Sequence, residues 1–176
     1  MMSDANLLER LLGDALQGLN APVRRLHRGA SAEYRGSATV ERGRSFLANG
    51  FCDWGRLPRS VSDAPLRFRL DVDGESETWT RFFSGSGPMV SRVEASGGLL
   101  REQLGPAQLD FELSVRQGVL YWRAVKLRVW GIPVPRAAYD FRARVSGEGA
   151  QYRFEIEAHL ALVGLLVQYQ GVLDVD

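Results

Sequence analysis

The side chains in this sequence whose types and spacing could do chemistry are few, and the strongest pairing among them is Arg81 with Glu102. Trp79, Arg81 and Phe83 fall at every second position of a strand-like run, so they share one face. If that face points inward, an arginine among aromatics needs a carboxylate partner such as Glu102. Inside a hollow sheet such a pair can orient the polar head of a ligand. Inside a filled one it is a structural ion pair, and on the opposite phase Arg81 is a solvated surface charge. Trp79, Arg81, Phe83, Glu102 and, from the last strand-like segment, Tyr169 make up the candidate ligand-binding set. A reaction using Arg81 and Glu102 is the enzymatic alternative; no catalytic residue is assigned.

The remaining motifs point to structure. Gly85-Ser86-Gly87 lacks the third glycine and the following helix of a dinucleotide loop, and neither a Walker sequence nor a Gly-x-Ser-x-Gly elbow occurs. Residues 71–77 concentrate acids around a turn without the helix-flanked frame of a calcium loop, so a solvated hairpin tip is expected. His27 and His159 lie on different segments with no cysteine or carboxylate at ligand spacing, so no metal site is expected. His27, at the end of a helical segment, reads as a cap or packing residue. Cys52, the single cysteine, excludes an intramolecular disulfide; beside Phe51 and Trp54 and without an activating partner, it reads as a small packed hydrophobe. No cofactor is expected.

Composition narrows the partners. Lys plus Arg total 22 against 21 for Asp plus Glu, so no global field draws in nucleic acid. Trp122 and Trp130, with Lys126 and Arg128 between them, could stack on bases, but the neutral balance favours core or rim packing and no nucleic-acid partner. Residues 1–6 are polar, unlike a secretion signal, and the longest apolar stretch, residues 160–167, falls well short of the roughly 20 needed to span a bilayer. A cytoplasmic protein without stable membrane insertion is expected.

The elements that must position these residues follow from periodicity. Ser3 or Asp4 can cap a helix over residues 5–19, and Asn20 with Pro22 can start a second one ending before Gly29. From Ala32 the period changes to two. Residues 45–57 interrupt it with Phe46, Leu47, Phe51, Trp54 and Leu57, a short helix or turn expected to plug one end of the core. Successive alternating runs then follow, with turns at Asp73-Gly74, Ser96-Gly97-Gly98, Gln117-Gly118 and residues 146–149. Pro133 and Pro135 must interrupt or edge the sheet, because neither can donate a ladder hydrogen bond. Residues 162–167, apolar in both phases, imply a strand covered on both faces, for which the N-terminal helix is a candidate. About ten strands joined by short turns predict a mainly β (α+β) fold. Its antiparallel meander forms a barrel or curved half-barrel capped by N-terminal helices, with a two-layer sandwich as the competing arrangement. The 176 residues are expected to form a single domain over 1–176, with 1–29 the helical cap and 30–176 the sheet.

Several short motifs recur in order: Trp79-Thr80-Arg81-Phe82-Phe83, Met89-Val90-Ser91-Arg92, Glu102 before Gly105-Pro106, Trp130-Gly131-Ile132-Pro133-Val134-Pro135, and the ending over residues 162–171. Together they resemble an uncharacterised bacterial family catalogued as domain of unknown function 4166. The resemblance implies a chain that stands alone or follows a saccharopine-dehydrogenase-like domain, hence a reductase-like protein as a candidate partner, and it assigns no catalytic residues. The leading expectation is a module binding a small hydrophobic or amphipathic ligand in a barrel cavity. The alternative is a non-catalytic accessory domain that docks a reductase-like partner.

Overall fold

The computed structural model describes residues 6–176. Alternation of apolar and polar residues produces long antiparallel strands: β1 (Ala32–Arg42), β2 (Val61–Asp73), β3 (Ser76–Phe83), β4 (Met89–Ser96), β5 (Leu99–Leu104) and β6 (Ala107–Arg116). There follow β7 (Val119–Val129), the two-residue β8 (Ile132–Pro133), β9 (Tyr139–Glu148), β10 (Gln151–Leu160) and β11 (Gly164–Asp174). Each long strand pairs with its predecessor, β9 pairs with β7, and β11 pairs back onto β1 from Gly36 with Leu173 to Arg42 with Val167. Ten strands thus close a barrel, and β8 lies only on the edge of β7. Closure leaves no long unpaired edge, which an open meander of this size would expose.

The turns follow their chemistry. Gln117 and Gly118 both adopt positive φ, 50° and 81°, as a primed two-residue hairpin requires. The turn expected at Asp73-Gly74 closes one residue later, on Gly74 and Glu75, because Asp73 still pairs with Ser76.

One end of the barrel is sealed by the N-terminal segments α1 (Leu7–Leu12), a 3-10 turn (Gly13–Gly18) and α2 (Ala21–Leu26). They bury Leu7, Leu8, Leu16, Leu19, Val23 and Leu26 against the strands. Asn6 caps α1 reciprocally with Glu9; the cap expected at Ser3 or Asp4 lies outside the described residues. The helix expected to run to Leu19 breaks at Gly13, whose positive φ of 52° ends the right-handed α-helix and leads into the 3-10 turn. Asn20 precedes α2 but does not cap it with its side chain. Its amide instead donates to the Gly147 carbonyl at 2.9 Å, and its backbone N–H donates to the Gly118 carbonyl, so Asn20 stitches the plug to two hairpin turns.

The opposite end carries α3 (Phe46–Trp54), capped by Ser45 through the Ala48 N–H at 3.0 Å. Here the expectation of an apolar plug is corrected. Phe46, Leu47, Phe51 and Trp54 are exposed, Phe46 by 87 %, while the buried residues of α3 are Ala48 and Cys52. The approach is close: a Cβ on Gly43, just before α3, would meet the Leu165 carbonyl oxygen at 1.8 Å and the Ala48 Cβ at 2.9 Å, and α3 rests on β11 through its small residues Ala48 and Cys52. Of residues 162–167, expected to be covered, Leu162 is exposed in the turn before β11 while Leu166 and Val167 are buried. The covering there comes from α3, through Cys52 donating to the Leu166 carbonyl at 3.2 Å, and not from the N-terminal helix. No helix among the described residues is long and apolar enough to cross a membrane.

Between β7 and β9 pairing is confined to Leu120–Arg123 against Val145–Arg142. Towards the α3 end the two strands part, and the segment with Pro133 and Pro135 spans the gap, held by Val134 donating to the Leu127 carbonyl and Ala161 donating to the Ala138 carbonyl. The prolines, lacking N–H donors, cannot donate to a full ladder there, and Pro133 pairs only at the edge, opposite Arg128.

Candidate functional site

The barrel is hollow. A cavity of about 1060 Å³ runs along its axis from His27 at the sealed end to Phe46, Trp54, Trp130 and Leu162 at the α3 end. Because Trp130 is 71 % and Leu162 96 % exposed, the cavity reaches the surface between α3, the β7–β8 turn and the β10–β11 turn. Its walls are the inward faces of the strands: Trp79, Phe83, Leu109, Phe111, Trp122, Phe154 and Tyr169 among others.

All five expected site residues line this cavity. Trp79, Arg81 and Phe83 project from alternate positions of β3. Glu102 sits on β5, two strands away, and Arg81 reaches it across β4 because the intervening inward residue is the small Ser91. The guanidinium donates through Nη1 to Ser91 Oγ and through Nη2 to Glu102 Oε1, both at 3.1 Å. Each side chain of the pair is 12 % exposed. Burial alone would depress the Arg81 pKa, but the Glu102 carboxylate outweighs it and holds the group above its ordinary value. Arg81 is therefore a fixed cation with a fixed counter-charge. Tyr169, from β11, stands in the same cluster, and burial raises its phenol pKa, so the hydroxyl stays protonated.

Two further cavity residues, His27 and Tyr152, lie outside the ligand-binding set expected from sequence. His27, at the end of α2, is buried; its Nε2 lies 3.2 Å from the Tyr152 hydroxyl and its ring packs against Trp79 and Tyr152. Burial without a carboxylate partner lowers its pKa to about 4, so it is neutral at physiological pH. Burial likewise drives the Tyr152 pKa upward. Tyr152 was legible as one of the inward positions of β10, but nothing in the sequence links it to a histidine 125 residues away. His27 does pack, as expected, and also forms the floor of the cavity.

Glu77 corrects the expectation of a solvated acidic tip. Sharing the inward phase of Trp79, it is buried and accepts from Trp79 Nε1 at 2.8 Å, with burial raising its pKa against the opposing influences of that hydrogen bond and Arg10. Trp122 is buried against Trp79 and Phe111, whereas Trp130 leaves the strand with φ 49°. Among the described residues no group of three or more His, Cys, Asp or Glu side chains is placed to hold a metal ion.

No curated protein matches this sequence. Among solved structures, zebrafish ileal bile acid-binding protein complexed with cholic acid is similar, with 15% identity over 82% of this chain and 97% of that one, at a TM-score of 0.42. The ordered motifs on β3, β4, β5, the β7–β8 turn and β11 agree with a match that extends over residues 19–173, which takes in every cavity strand: the chain belongs to the family described as Domain of unknown function (DUF4166).

Proposed function

We propose that this protein is a binding module that encloses a small hydrophobic or amphipathic ligand inside the barrel. The observation that carries this reading is the cavity of about 1060 Å³, with mainly apolar walls and the buried Arg81–Glu102 pair within it. Protein interiors are ordinarily packed to crystal-like density, so a void of this size forfeits dispersion contacts that a ligand would restore. Small-molecule sites have this character: a mainly apolar hollow of several hundred Å³ in which few polar groups fix orientation. In this reading Trp79, Phe83 and Phe111 hold the apolar body, while Arg81, Glu102 and Tyr169 receive the polar end. The mouth between α3 and the turns at Trp130 and Leu162 is the route of entry.

Native mass spectrometry of freshly purified protein, compared with the denatured mass, tests the proposal. A reproducible stoichiometric mass excess is expected, and its fragmentation identifies the ligand class. A second reading is favoured by the exposed apolar side chains around the mouth: an accessory domain that docks a reductase-like protein through that rim. It expects no retained small molecule, even after incubation with a cell lipid extract.

A further inference from the structure

Resting on the binding reading above, we infer that the polar site in the cavity takes an uncharged, hydroxyl-bearing ligand, a lipid-like alcohol, in preference to a fatty-acid-type carboxylate. The ground is charge cancellation. Arg81, the cation in the depth of the cavity, already bonds to Glu102 at 3.1 Å. The other charged side chains lining it are Arg142 and Glu157, one base and one acid at register partners on β9 and β10 near the mouth; both are largely exposed, and Arg142 is bonded to Asp140. The lining therefore carries no surplus positive charge, and His27 adds none, because burial keeps it neutral. Just beyond the wall, the buried acid Glu77 beside Trp79 is itself offset by Arg10, so this pair adds no net charge.

A ligand carboxylate entering this cluster would surrender its hydration, approach Glu102 as a like charge, and meet a guanidinium whose charge Glu102 already balances. A hydroxyl meets the opposite situation. Glu102 uses only Oε1 toward Arg81, so its second oxygen can accept from the ligand O–H. The Tyr169 hydroxyl, which makes no hydrogen bond among the described residues, or the remaining guanidinium N–H groups can donate to the ligand oxygen. Only a group that both donates and accepts satisfies this arrangement, and a site built around a hydroxyl discriminates strongly against analogues that cannot reproduce its bonds.

The test uses displacement of Nile red, an uncharged fluorescent dye, by cis-9-octadecen-1-ol, cis-9-octadecenoic acid and the methyl ester of that acid, which share one chain and differ at the end. At about pH 8 the alcohol is expected to displace the dye at least about tenfold more tightly than the acid, with the ester, an acceptor only, between them. Equal or tighter binding of the acid overturns this inference and leaves the binding reading intact. Failure of the dye and all three chains to bind overturns both. In Glu102→Gln, which releases Arg81, the preference is expected to shrink or reverse. A thermal melt establishes that this variant folds; where it does not, the wild-type ranking alone decides.

Discussion

Both ends of the barrel are covered by short helices, but the two coverings obey opposite rules. At the sealed end α1 and α2 point their leucines and valine inward, and their backbones are tied to hairpin turns by Asn20. At the other end α3 docks through Ala48 and Cys52 and turns its aromatics towards the cavity mouth and solvent. Among the described residues the exposed large apolar side chains, Phe46, Leu47, Phe51, Trp54, Val90, Trp130, Ile132 and Leu162, all belong to segments at that end. Trp54 and Trp130 meet edge to face at 5.1 Å, bridging α3 and the β7–β8 turn. The sealed end is built for stability; the open end keeps apolar surface that a stability-driven sequence would have buried or replaced.

This contrast predicts effects of graded size. Leu8→Ala removes a fully buried anchor of the plug and is expected to lower unfolding free energy by about 2–5 kcal/mol in a urea titration. A loss below 1 kcal/mol would mean that the plug is not part of the cooperative core.

Next in size is the pH response of the cavity floor. His27 has a folded pKa of about 4 against an ordinary 6.5, so between these values the unfolded chain binds a proton that the folded chain refuses. Stability is therefore greatest above about 6.5 and falls as pH drops towards 4, by roughly 3 kcal/mol in full. Glu77, with its raised pKa, contributes in the opposite sense, losing stability as pH rises through its folded value. The His27 contribution is accordingly read as the difference between wild type and His27→Gln; if the two pH profiles run parallel, the floor is more hydrated than the structure indicates.

Ser45→Ala deletes the α3 cap and is expected to weaken that helix by about 1 kcal/mol, seen as faster thiol labelling of the buried Cys52 while the global transition moves less. Smallest of all is Phe46→Ser, expected to change global stability by no more than about 0.5 kcal/mol because the ring is solvated already. The same substitution alters Nile red exchange kinetics if the rim is the entry route. A large stability loss from it would erase the distinction between the two ends.

Much of this molecule was legible in its sequence, for definite reasons. Side-chain period in a strand is two, so the meander, its turns and the common face of Trp79, Arg81 and Phe83 follow from local pattern. Burying a guanidinium demands a carboxylate, so Arg81 and Glu102 could be paired before their separation was known. The turn at Gln117-Gly118 and the placing of Pro133 and Pro135 at or off the sheet edge rest on glycine and proline backbone chemistry, although the turn expected at Asp73-Gly74 closes one residue later.

Tertiary structure decided what no local pattern encodes. Alternation looks the same in a filled barrel, a sandwich and a hollow barrel, because it specifies a face and not the distance to the face opposite. The hollow interior depends on closure of ten strands through β1 with β11 and β7 with β9, set by registers between residues more than 100 apart in the first case. The meeting of His27 with Tyr152 and the burial of Glu77 depend on how the plug seats against the hairpins. The outward turn of α3 is likewise a matter of packing. An amphipathic helix ordinarily buries its large apolar side chains, and here α3 is seated close against β11 on Ala48 and Cys52, with Gly43 beside them.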